Sequence, residues 1–233
     1  MCFSATASFS AGIVLTVIGI VAIKKVQHRS QFMFAAIPLV FAVQQFSEGL
    51  LWLTLPYPEL QFVQKNTAYF FLIIAQILWP IYVPVAILLV EKEKTRKKIQ
   101  WVLIVFGLLA SCRLAYCLLV YDANALIDCY HITYIQDYPQ KLRWVTGILY
   151  VISTIAPPFF FHIKRMWMLG TTIMISYLIT ALFYENYLVS VWCFFASIIS
   201  ISVWFIMGEI KSHTHLEMIK KLHAATLLKI QKS

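Results

Sequence analysis

The sequence predicts an all-α protein, a seven-transmembrane helix bundle with its N-terminus outside and its C-terminus in the cytoplasm. Three observations predict it. Of the 233 residues, 61% are apolar and 12% charged, against about 25% charged in a soluble domain. The apolar residues gather into runs of the length that crosses a bilayer, about 17 to 25 residues. The positive charge is asymmetric, with fifteen of the nineteen Lys and Arg residues in alternate connections and the tail, three in the others, and Arg113 inside a run. Retained positive charge orients membrane proteins with that side in the cytoplasm.

The expected spans are 5–23, 32–55, 67–90, 99–121, 143–162, 167–184 and 188–208. The first carries no charge before it, and Lys24 and Lys25 follow it, the reverse of a cleaved secretory signal. It reads as a retained helix. Span three contains Pro80 and Pro84, and span five Pro157 and Pro158; both are expected to kink. Segment 24–31 and EKEKTRKK (91–98) read as solvated basic connections. Segment 122–142 is long for a connection and holds Asp122, Asp128, Cys129, His131 and Asp137. It is either a lid or binding element or a mobile crossover. The tail 209–233 repeats apolar residues among lysines, as in an amphipathic helix lying on an anionic inner leaflet. These features place the chain in the inner (plasma) membrane as a multi-pass protein whose surroundings are the lipid bilayer.

Composition also excludes classes. The spans leave no room for a soluble catalytic domain, and the +9 net charge is scattered between apolar runs rather than gathered on a nucleic-acid-binding face. No nucleotide-binding or HExxH motif occurs. His213 and His215 alone do not make a metal site. No cofactor or metal is expected. Five cysteines are too few for a disulfide framework.

An ionisable side chain in hydrocarbon costs about 2.5 to 3.5 kcal/mol, so it persists where it is paired or faces a polar cavity. Glu48 and Arg113 are two such residues, expected at similar heights in the outer half of spans two and four and therefore as an ion pair. Gln44 and Gln45 precede Glu48 by four and three residues, and Trp52 follows it by four, which puts them on one helical face. Gln76 in span three, Tyr116 beside Arg113, and Trp192 in span seven are expected at the same level. The reading is an outward-facing polar intramembrane cavity lined by Glu48, Arg113, Gln44, Gln45, Gln76, Tyr116 and Trp192, holding a small polar ligand in a sensor or transport protein. The alternative is interhelical polar glue. Cys2 adds a further candidate: removal of Met1 would leave a free α-amine beside its thiol. A membrane-embedded enzyme using Cys2 or Glu48, and a structural subunit whose polar face binds a partner helix, remain open.

Three blocks, MCFSATASFSAG (1–12), PLVFAVQQFSEGLLW (38–52) and VWCFFASIIS (191–200), are similar to those of a family of uncharacterised bacterial multi-pass membrane proteins that open with MCFSA. The resemblance implies a multi-pass membrane protein. It draws attention to Cys2, Ser4, Gln44, Gln45, Glu48, Trp52, Trp192 and Cys193, and implies no activity.

Overall fold

The computed structural model describes residues 4–128, 131–139, 141–163, 165–183 and 195–212. Helix α1 (Ala5–Ile23) opens on Ser4, whose hydroxyl accepts the Ala7 N–H at 3.2 Å. That cap supplies one of the acceptors a helix start lacks. A 3-10 turn (Arg29–Gln31) and the single turn α2 (Phe32–Ala35) lead into α3 (Ile37–Thr54), which returns along α1. Next come α4 (Gln61–Leu72), a π-helical segment (Ile73–Leu78), α5 (Trp79–Val90) and the 27-residue α6 (Lys94–Val120).

Four helical stretches are long and apolar enough to cross a membrane: Ala5–Ile23, Arg29–Thr54, Pro58–Val90 and Lys94–Val120. They mark a membrane protein. Ile13, Val17 and Ile20 on α1, and Val102, Val105 and Leu109 on α6, are exposed apolar residues in keeping with lipid contact. Beyond them α7 (Arg143–Ile155) and α8 (Met166–Phe183) are apolar, and 196–212 is helical. The main core joins Phe34, Ile37, Val83, Ile87, Ile155, Leu169, Val203 and Ile206, drawn from both halves of the chain.

The prolines act as expected in one place and differently in another. Pro80 cannot donate to the carbonyl of Gln76, nor Pro84 to that of Pro80. The helix therefore widens into the π segment over Ile73–Leu78 before α5 resumes. Carbonyls of that segment are taken by side chains of other helices: Tyr150 donates to Ala75 O at 2.6 Å and Ser111 to Ile77 O at 2.8 Å. Gly107 lets α6 approach the carbonyl of Pro80 so closely that a Cβ there would lie 2.0 Å from the oxygen. In the stretch 143–162, by contrast, Pro157 and Pro158 end the helix rather than kink it. It stops at Ile155, and a 3-10 turn (Pro157–Phe160) follows. Thirteen residues rise about 20 Å, short of the roughly 30 Å hydrocarbon core.

The all-α expectation misses one element. Within 122–142 lies an antiparallel hairpin of β1 (Ala123–Asp128) and β2 (His131–Gln136), paired from Ala123↔Gln136 to Asp128↔His131. It is docked, so the reading of this segment as a mobile crossover is set aside. Ile132 clusters with Leu51 and Ala68, the Tyr134 ring stacks on Phe71 with centroids 4.8 Å apart, and Gln136 meets Gln76. Every second strand residue, a step of about 6.6 Å, thus meets α4 or the π segment once per turn or so.

Candidate functional site

The buried polar face begins on α3. Gln44, Gln45 and Glu48 are each at most 1% exposed, in a helix whose other buried positions are mostly small or apolar. Glu48 lies six residues before the end of α3, about 9 Å along its axis. Gln44 Oε1 accepts the Trp79 indole N–H at 3.0 Å, which ties α3 to the first turn of α5. Trp79 in turn packs against Phe41 at 4.2 Å between ring centroids. Gln45 and Glu48 are both engaged within the protein.

Around these residues several polar atoms are buried without a hydrogen-bond partner among the described residues: Ser8 Oγ, Trp52 Nε1, Thr133 Oγ1 and Gln136 Nε2. Ser8 lies on α1 beside Phe9, whose ring packs on Gly49. Trp52 packs on the Leu51, Ala68 and Ile132 cluster, and Thr133 and Gln136 belong to β2. Ser8 therefore sits at the α1–α3 contact, Trp52 where α3, α4 and the hairpin meet, and Gln136 against the π segment, with Thr133 on the other face of β2. An unsatisfied buried polar group costs about 1 to 3 kcal/mol, so each of these atoms is a place where an ordered water or a ligand atom would be held.

Gln76 serves this junction from the π segment. Its amide nitrogen donates to Gln136 Oε1 at 2.9 Å, and its oxygen accepts the Tyr138 hydroxyl at 3.4 Å. The hairpin is further held by Lys65 on Asp122 at 2.9 Å and by the Ala123 N–H donating to Tyr69 Oη at 3.3 Å. His131, opposite Asp128 in the ladder, has its pKa lowered chiefly by burial, with Asp128 opposing the shift.

Two expected lining residues are elsewhere. Arg113 does not pair with Glu48: its guanidinium donates to the carbonyls of Pro139, at 3.4 Å, and Lys141. The reason is local. Leu142 takes a left-handed conformation, φ 66°, at the start of α7, and the neighbouring Lys141 carbonyl finds its donor in Arg113. Tyr116 is 59% exposed on α6 and lies outside the buried face. Trp192 and Cys2 fall outside the described residues, as do Cys129, Cys193 and the tail beyond 212. Among the described residues no group of three or more His, Cys, Asp and Glu could hold a metal ion.

A second polar constellation, missed in the sequence, lies at the opposite end of the helices. The side chain of Glu91 is fully buried. Its Oε1 accepts Lys92 N–H at 2.7 Å, Glu93 N–H at 2.9 Å and faces His162 Nδ1 at 2.8 Å, while Oε2 accepts His162 N–H at 3.0 Å. Arg96 joins Glu93 at 2.6 Å and the Phe161 carbonyl, and Gln100, also buried, donates to Pro157 O at 2.9 Å. One carboxylate thus holds the turn between α5 and α6 and fixes the connection between α7 and α8. Glu91 looks like the first residue of a solvated charge run, and only the fold shows that it turns inward.

A family model described as "Family of unknown function (DUF6629)" matches residues 1–217, and the chain belongs to that family. Neither the curated proteins nor the solved structures contain a match.

Proposed function

We propose that this is a multi-pass protein of the inner (plasma) membrane with seven spans, N-terminus outside and C-terminus cytoplasmic, which binds a small polar ligand in an outward-facing polar cavity as a sensor or transport protein. The observation that carries the reading is the fully buried Glu48, flanked by Gln44 and Gln45 on one face of a helix apolar enough to cross the membrane. A buried acid in such a helix marks function by default. The hairpin covering α4 supports it, because the face of β2 that carries Ile132, Tyr134 and Gln136 packs on the helices and brings a buried, unsatisfied Gln136 Nε2 there. Trp52, Ser8 and Gln136 take the place of Arg113 as lining residues. The excess of basic residues in 24–31, 91–98, 163–166 and the tail supports the orientation.

The reading is tested by a thermal-shift screen of the detergent-purified protein against amino acids, polyamines and short sugars. At least one class is expected to stabilise the native protein, since binding to the folded state alone raises its stability, and Glu48→Gln is expected to abolish that shift. No stabilising class, or a shift retained by Glu48→Gln, contradicts the assignment.

A further inference from the structure

Helix α1 ends at Ile23 and the next membrane-crossing stretch begins at Arg29, so the residues between them turn at a bilayer surface. The turn is locked by its own side chains. Gln31 is buried, and its Oε1 accepts the N–H of Gln27 at 2.8 Å and of His28 at 3.4 Å. Gln27 Nε2 donates back to the carbonyls of Val26 and Lys25 at 3.3 and 3.4 Å. Lys25 is committed to the last helix, donating to Trp204 O at 3.0 Å with its ammonium 3.9 Å from the centre of that ring. His28 and Arg29 are exposed, His28 held in place by its bonds to Gln31, and the Arg29 guanidinium has no hydrogen-bond or ion-pair partner among the described residues. With Val26, Gln27 and Phe32 they line an open cleft of about 560 Å³. Phe32 is 52% exposed and lies one helical turn past Arg29, so the cleft has a cationic rim and an apolar wall.

We infer that this cleft binds the headgroup of an anionic phospholipid, with Arg29 and His28 on the phosphate and Phe32 against the first acyl carbons. A guanidinium fork matches phosphate geometry. The apolar wall at a bilayer surface selects a lipid over a free anion, and the fixed turn lowers the ordering cost of binding. The inference needs the flanking helices to be spans and is independent of the polar cavity.

The test is lipid retention by the full chain, released from nanodiscs of mixed phosphatidylcholine and phosphatidylglycerol and weighed by native mass spectrometry. Arg29→Gln is expected to lower bound phosphatidylglycerol about fivefold, the worth of one basic residue near an anionic surface, and Arg29→Lys to keep most of it. Phe32→Ala is expected to lower it as well. Arg143→Gln removes the same charge at the opposite end of the bundle and is expected to leave retention unchanged. Equal losses for Arg29→Gln and Arg143→Gln, no loss for Arg29→Gln, or displacement of the lipid by millimolar inorganic phosphate would each overturn the inference.

Discussion

Gln76 donates from the π segment to Gln136 at the end of β2, 2.9 Å away. The contact joins the π-helical stretch of a membrane-crossing segment to the one hairpin among the described residues. π-helical turns cost regular hydrogen bonds and recur at functional sites. Here the widening follows from Pro80, and the side chain it presents, Gln76, holds the element that covers the polar junction.

The hairpin is expected to depend on that junction. Tyr134→Ala removes the ring stacked on Phe71 and should cost about 3 kcal/mol. Gln136→Leu should cost about 1 kcal/mol by stranding the Gln76 amide. Hydrogen–deuterium exchange across Ala123–Asp128 should rise in both variants, more in the first. Unchanged protection in Tyr134→Ala would show that another contact holds the hairpin.

Because Arg113 serves the Pro139 and Lys141 carbonyls, it is not coupled to Glu48. The losses in detergent-solubilised thermal stability from Glu48→Gln and Arg113→Gln should add to within about 0.5 kcal/mol in the double variant. Partial recovery in the double variant would restore the ion pair.

Gly107→Ala should be among the most damaging small substitutions, since the new Cβ would meet a backbone oxygen at 2.0 Å that no side-chain rotation can move. Gly147→Ala has open space around it and should be neutral or stabilising by up to about 1 kcal/mol through helix propensity. Thermal unfolding in detergent compares the two. Equal melting temperatures would contradict the close α5–α6 contact.

Burial lowers the His131 pKa, so protonation favours the undocked hairpin. Its contribution to stability is complete above the unfolded value of about 6.5 and is lost as pH falls through the lower folded value. Protection of His131–Gln136, taken relative to the intrinsic exchange rate at each pH, should fall below about pH 6.5 in the native protein and less in His131→Gln. The same acid response in both would assign the effect to another group.

The helices were legible because apolar runs of bilayer length carry a strong compositional signal, and Glu48 with its glutamines stood out against that background. The hairpin was legible too. His131-Ile132-Thr133-Tyr134 alternates with the period of two, and the segment has the β-branched and aromatic content of a strand, but the alternation breaks at Ile135 and the run is short. The Arg113 contacts were not legible, because equal height on two helices says nothing of the angle at which each side faces. Glu91 was hidden for a related reason: neighbours in sequence gave it the look of solvent exposure, while its partner His162 is 71 residues away.

A ligand-holding polar cavity at Glu48 is open to a high-resolution cryo-electron-microscopy map of the full chain in lipid nanodiscs. Resolved water or ligand density is expected within hydrogen-bond distance of the Glu48 carboxylate and the Gln45 amide, bounded by Ser8, Trp52 and the inner face of β2. A map in which protein atoms alone fill that junction, leaving no space for a water between α1, α3 and the hairpin, would contradict it.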